Sequence, residues 1–350
     1  MTHQKPFNAA AAHLAPIYFD AAATTDKAID AIGEAARHGA SIIAFPESFV
    51  PGFPVWAAGL APIESHDHFR QFVAASISAT GSEIQRIRAT AERHSIVVSL
   101  GFSERNPASV GGLWNSNLLI GDRGNVLVHH RKLVPTFYEK LVWDAGDGDG
   151  LRVAETAIGR IGALICGENT NPLARFSLMA QSEDIHISTW PPAWPTRPPT
   201  DIGNFDNRLA NRLRAAAHAF EAKCFGIVVA GCLDRPGIDA IAGSDAKLRA
   251  LLEATPKASS FFVDPTGASF GDACEGDDEG LCYAKIDLAH RVEPKRFHDV
   301  VAGYNRFDVF DLSVQRRRFA PVRFSDVLPE PAAADEILID PTMVASHESV

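Results

Sequence analysis

Apolar residues recur along this chain in two rhythms. Between 26 and 38, Ala28, Ala31, Ile32, Ala35 and Ala36 fall on one face at helical spacing. That helix leads into 41–45, a short apolar run of strand length. Helical spacing returns over 69–94 and precedes a strand at 96–102. Apolar runs at 118–120 and 126–128 flank Gly121-Asp122-Arg123-Gly124, a β-hairpin pattern. The run 161–165 reads as a buried strand and 172–181 as an amphipathic helix. A strand at 185–188, a helix across 204–223 and strands at 225–230, 261–264 and 283–286 complete the series. Such alternation predicts a layered α/β architecture. The alanine runs 9–12 and 332–334 are the low-complexity stretches, and no internal repeat is seen. Periodicity fades beyond about Pro321 into Pro-, Ala- and Glu-rich sequence. We therefore expect one domain over 1–320, with 321–350 a tail or an oligomer-contact arm.

Composition narrows the class without naming it. The chain has 350 residues, 46% hydrophobic and 9% aromatic, enough for a sizeable core. It holds no apolar stretch of roughly 18 residues, so no membrane span is expected. Residues 1–7 lack a signal-peptide apolar region. A net charge of −10 disfavours nucleic acid, which requires a basic surface to displace counterions. The five cysteines (166, 224, 232, 274, 282) show neither CxxC pairing nor zinc-type spacing. A reduced, cytoplasmic protein with core cysteines is the expectation.

Three segments carry candidate chemistry. Cys166 ends the apolar run 161–165 just before a helical pattern, where a parallel-sheet enzyme presents a nucleophile. A thiol there would lie near free helical N–H groups, which favour thiolate. A lone cysteine is more often a buried core residue, so the segment is not decisive alone. Phe45-Pro46-Glu47 delivers a carboxylate behind a proline that ends its strand. Lys132 follows the strand-like 126–128. Open α/β sheets bind ligands at the carboxyl ends of their strands, so the three groups are expected in one crevice.

These segments resemble a known family. Phe-Pro-Glu at 45–47, Arg131-Lys132-Leu133 with Pro135-Thr136 and Glu139, and the run Cys166-Gly167-Glu168-Asn169-Thr170-Asn171-Pro172 look like the nitrilase branch of the carbon–nitrogen hydrolases. Downstream, Ile185-His186-Ile187-Ser188-Thr189-Trp190, Asp264-Pro265 and Glu279-Gly280-Leu281 continue the likeness, which spans about 5–315. The resemblance implies a single-domain, four-layer α-β-β-α sandwich with mixed sheets. It implies Cys166 as nucleophile, Glu47 as general base and acid, Lys132 as charge stabiliser and Glu139 as a supporting carboxylate. The implied reaction turns a nitrile into acid and ammonia through a thioimidate and a thioester. An amidase or an amide-forming hydratase would use the same residues. A catalytically silent scaffold would need none of them. A homo-oligomer, dimer or larger spiral, is implied; no cofactor and no metal are.

The Cys-Gly-Glu-Asn-Thr-Asn variant resembles a subgroup associated with arylacetonitriles. Gly167 stands where many nitrilases carry a large aromatic, and it is expected to leave room beside the nucleophile. Trp190, with Pro191, Pro192 and Trp194, is a candidate pocket wall, as are Phe53, Trp56 and Tyr138. Gly303 and Phe307 depart from a His-Tyr and Arg-Pro-Asp pattern usual at 303–308. His129 and His130 read as ordinary strand-end residues rather than metal ligands.

Overall fold

Two six-stranded sheets, stacked face to face, organise the chain. The computed structural model describes residues 5–198, 203–320 and 322. The first sheet is built from β1 (Phe7–His13), β2 (Ala40–Ala44), β3 (Val97–Arg105), β4 (Leu113–Ile120), β5 (Val126–Arg131) and β12 (Gly280–Ile286). Its order is β12-β1-β2-β3-β4-β5. The second holds β6 (Ala154–Thr156), β7 (Gly159–Ile165), β8 (Ile185–Trp190), β9 (Phe225–Ala230), β10 (Ser259–Val263) and β11 (Ser269–Glu275), in the order β11-β10-β9-β8-β7-β6. In each sheet the central pairs are parallel and the outer pairs antiparallel.

Helices α1 (Ala21–Arg37) and α4 (Ser82–His94) cover the outer face of the first sheet, and α5 (Pro172–Met179) and α6 (Asn207–Ala222) that of the second; α2 (Trp56–Gly59), α3 (His66–Ala75), α7 (Arg235–Ala242) and α8 (Ala246–Ala254) pack together in a separate cluster, and α9 (Val292–Phe297) follows β12. Period-two alternation explains the layering. Ala10, Ala12 and Ile43 face α1 and α4 with Ile32, Ile84 and Ile87. Their neighbours Ala9, Ala11, Ile42 and Ala44 face inward to meet Ile185, Ile187, Ile227 and Val229 of the other sheet. The alanine run that reads as low complexity is thus a central strand whose small side chains let the sheets approach. This is the α-β-β-α sandwich that the sequence motifs imply, and the body to Arg318 forms one unit. The expected tail over 321–350 lies outside the described residues apart from Val322.

Two sequence expectations change. The helical run 69–94 is two helices, broken where Ile77 bridges the edge of β3: its N–H donates to Ser103 O at 3.0 Å, and its carbonyl accepts from Arg105 N–H at 2.9 Å. Strand pairing overrides periodicity there. The cysteines are not all reduced core residues: Cys274 on β11 and Cys282 on β12 form a disulfide where the two edge strands meet, with Cα atoms 6.0 Å apart. Cys166, Cys224 and Cys232 are free and buried. No described helix is long and apolar enough to cross a membrane.

Candidate active site

Glu47, Lys132 and Glu139 come from loops of one sheet, Cys166 from the other. The chain leaves β2 through Phe45-Pro46 and turns at Ser48, which has φ +48°. This turn lies directly on β3 because position 101 is glycine. A Cβ there would collide with the Pro46 carbonyl and come within 2.8 Å of Ser48 N. Glu47 is thereby pressed inward, and its Oε1 accepts from Asn115 Nδ2 and Lys132 Nζ, each at 2.7 Å.

Lys132 is pinned on both sides. Its N–H donates to Asn115 O at 2.8 Å, and its carbonyl accepts from Gly146 N–H at 2.8 Å. Its ammonium bridges Glu47 and Glu139 Oε2, the latter at 2.6 Å. Glu139 starts as a helix-capping carboxylate, its Oε2 accepting from Thr136 N–H at 3.0 Å. One oxygen thus serves backbone and ammonium together.

Cys166 opens a single 3₁₀ turn, Cys166–Thr170, with a left-handed φ of +49°. A non-glycine residue held there is strained, and the surrounding contacts explain how it persists. Asn169 Nδ2 donates to the carbonyls of Leu164 (3.2 Å) and Cys166 (3.0 Å). Glu168 accepts from the N–H of Ile165 (2.8 Å) and of Leu133 (2.6 Å), and lies 2.8 Å from His130 Nε2. Glu168 therefore ties the nucleophile turn to the lysine strand across the two sheets. The three groups do meet in one crevice, as expected, and it lies between the two sheets.

Glu47, Glu139 and Cys166 each offer a carboxylate oxygen or sulfur, and these three atoms lie within 4.8 Å of one another. All are buried, with Lys132. Burial pushes the Glu47 carboxyl up to about 7, against the pull of Lys132. Burial also drives the Cys166 thiol well above its ordinary range; Glu47 adds to that, while Lys132 and Arg214 oppose it. Burial thus works against the thiolate expected from helical N–H groups, while Lys132 and Arg214 favour it. Burial works against the Lys132 charge, but Cys166, Glu139 and Glu47 outweigh it and hold the ammonium well above its usual range. Glu47 Oε2, Glu139 Oε1 and the Tyr138 hydroxyl are buried without a protein hydrogen-bond partner.

The proposed wall residues divide into groups. Trp190 packs with Ile165 and Cys166 in one buried cluster. Tyr138 stacks on Trp194 with centroids 4.5 Å apart, and Phe53 meets Trp194 and Trp143. The Tyr138 hydroxyl is raised well above its usual range by burial and then by Glu139, Cys166 and Glu47. Trp56 packs instead on Phe72 and His68. Gly167 leaves less room than its size implies, since a Cβ there would lie 2.8 Å from Thr136 Oγ1. His129 lies 2.8 Å from Glu104 Oε2. Phe307 lies away from this cluster, lining with Leu173 and Phe176 of α5 a groove of about 980 Å³.

Sequence reasoning missed Asn115, Gly101, Glu168 and Asn169. A polar residue inside an apolar strand (Asn115) and a carboxylate two positions past the cysteine (Glu168) were the available signals. A second buried group, Glu183, His186 and His218, also gathers three potential metal ligands. Their ligand atoms already face one another at 2.8 Å as hydrogen-bond partners. In the first cluster, Lys132 supplies the cation between the carboxylates.

Known proteins resemble this chain in sequence and in fold. Residues 8–296 match the carbon–nitrogen hydrolase family model. A nitrilase of Paraburkholderia phymatum is 34% identical, covering 100% of this chain and 99% of its own. An arylacetonitrilase of Hypocrea virens is 31% identical over 92% of this chain and 94% of its own. The solved C. elegans NitFhit protein shares the fold with a TM-score of 0.68 at 19% identity, over 91% of this chain and 70% of that one.

Proposed function

The chain belongs to the carbon–nitrogen hydrolase family, and from that premise we propose that it is a nitrilase acting on aromatic or arylaliphatic nitriles. The observation that carries the reading is the convergence of Glu47, Glu139 and Cys166 within 4.8 Å, with Lys132 bridging the carboxylates. Glu47 takes the thiol proton as Cys166 Sγ attacks the nitrile carbon, then passes it to the nitrogen, giving a thioimidate. A carboxyl group near 7 suits both directions of transfer at neutral pH. Lys132 stabilises the negative charge developing on that nitrogen. One water, activated by Glu47, adds to the thioimidate; ammonia leaves and a thioester remains. A second water releases the carboxylic acid and restores the thiol. Glu139 holds the Lys132 ammonium in place, and its Oε1, without a protein partner, is available to the N–H of the thioimidate.

The aromatic preference draws on Trp190, Tyr138, Trp194 and Phe53 around the site, and on the arylacetonitrilase relative. We further infer a homo-oligomer, supported by the exposed Leu173 of α5 and Leu213 and Phe220 of α6, helices joined by the Arg175–Glu221 ion pair.

The test is product analysis with phenylacetonitrile and phenylacetamide, using Cys166→Ala as the blank. Acid and ammonia from the nitrile are expected, with turnover falling at least about 10⁴-fold in Cys166→Ala. Hydrolysis of the amide alone would make the protein an amidase, and amide accumulation from the nitrile would make it a hydratase.

A further inference from the structure

One cation beside the nucleophile is used by no step above. Arg214 lies on α6, whose Ala215 and Ala219 pack with Ile165, Cys166 and Trp190. Its guanidinium carbon stands 4.7 Å from the centroid of Trp190 and 5.9 Å from that of Phe205. Arg208 pairs with Glu275 and Arg175 with Glu221, while Arg212 of the same helix is exposed and lies over Phe261 instead. Arg214 makes no hydrogen bond and no ion pair among the described residues. Burial opposes its charge, and Cys166 is the group that favours it.

The balance of charge at the site leaves this guanidinium in excess. Lys132 is bridged to Glu139 and Glu47, so the centre is close to neutral when Glu47 carries a proton. A guanidinium stacked on aromatic rings keeps its N–H edge free, and that edge matches a carboxylate bidentately. Arg214 is partly buried, and a cation in that setting without a protein anion is favoured by a ligand that supplies one.

Building on the nitrilase reading, we propose that Arg214 anchors an anionic group, a carboxylate above all, carried by the nitrile at the end away from its reacting carbon. Trp190 and Phe205 orient the guanidinium, and the substrate spans from Arg214 to Cys166. Arg214 is then a specificity residue rather than a catalytic one.

The experiment compares 3- and 4-cyanobenzoate with the uncharged 3- and 4-tolunitriles in wild type, Arg214→Gln and Arg214→Lys. The ratio of kcat/KM, cyanobenzoate over tolunitrile, should fall about 10- to 100-fold in Arg214→Gln and recover partly in Arg214→Lys. An unchanged ratio, including equal losses on both substrates, would overturn the proposal and assign Arg214 to the thiol or the fold. Binding of the same cyanobenzoates to Cys166→Ala, measured by calorimetry with and without Arg214→Gln, reads the contact without turnover. A 10- to 100-fold weakening supports the anchor. Equal affinity, or no binding, removes it even where the nitrilase reading stands, while tight Arg214-dependent binding without turnover of any nitrile would sink the reaction and keep the anion site.

Discussion

Two buried acidic clusters meet at the Cys166–Thr170 turn, and they are buried equally but satisfied unequally. At the first, Glu47 keeps one oxygen without a partner and its carboxyl is pushed up to about 7 by burial. At the second, Glu183 gives each oxygen a histidine: Oε1 lies 2.8 Å from His186 Nδ1 and Oε2 2.8 Å from His218 Nε2. Burial opposes ionisation there as well, yet His186 and His218 outweigh it and hold the Glu183 carboxyl down to about 2. His218 is pushed down to about 4, first by burial and then by His186. His186 Nε2 lies 2.8 Å from Asn169 Oδ1, the same amide whose Nδ2 clamps the Cys166 carbonyl. The lesson is that burial alone does not mark a reactive carboxylate. A saturated carboxylate is a strut, and an undersatisfied one, kept short of a partner, is free to exchange protons.

The sharpest way to break this contrast is Glu47→Gln. An amide cannot shuttle a proton, so kcat/KM on the nitrile should drop about 10³-fold, within the range for lost general acid–base catalysis. The fold should survive, because the amide oxygen of the substituted side chain can still accept from Asn115 and Lys132. Steady-state kinetics beside a thermal melt measures both, and near-normal turnover would take Glu47 out of the mechanism.

Glu183→Gln should do the opposite. It takes from His186 and His218 the carboxylate both bond to, and leaving a buried polar group without its partner typically costs about 1–3 kcal/mol. Denaturant unfolding should register that loss, while activity per folded molecule falls by no more than about tenfold, through a loosened Asn169. A stable but inactive variant would show that the second cluster takes part in the chemistry.

Much of this was legible in the sequence for a physical reason. Glu47, Lys132 and Cys166 follow apolar strands closely, and such positions lie at sheet ends whatever the details of packing. Glu139 was legible only through the family resemblance, seven residues past Lys132; its capping contact with Thr136 emerged from the structure. Gly101 was not, because its need arises only when the 46–48 turn settles onto β3. Asn115 points inward by strand alternation, but only the three-dimensional pairing of β4 brings it to Glu47. Arg214 sits in a helix crowded with arginines, and nothing in that helix says which one lies over Trp190. The break between α3 and α4 had a local signal in the Ser/Thr/Gly cluster at 76–82, but the bridge from Ile77 to β3 joins distant segments and was not legible.

The smallest effect, and the most diagnostic, is in pH. Glu47 has a raised carboxyl in the folded state, so between its ordinary value near 4.5 and about 7 the unfolded chain binds fewer protons than the folded one. Stability contributed by this site therefore falls as pH rises through that window. Glu183 has the reverse sign: its contribution is present above its ordinary value and is lost as pH falls toward about 2. The stability of Glu47→Gln relative to wild type should improve by an amount on the order of 1–3 kcal/mol between pH 5 and 8. Glu183→Gln should show no such drift in that range. In parallel, wild-type kcat/KM should climb about tenfold per pH unit below about 7 and level off above it, as the base loses its proton. That limb should vanish from the residual activity of Glu47→Gln. A limb below pH 5 in wild type would mean that Glu47 is satisfied as fully as Glu183, and the distinction between proton carrier and strut would then have to rest on geometry alone.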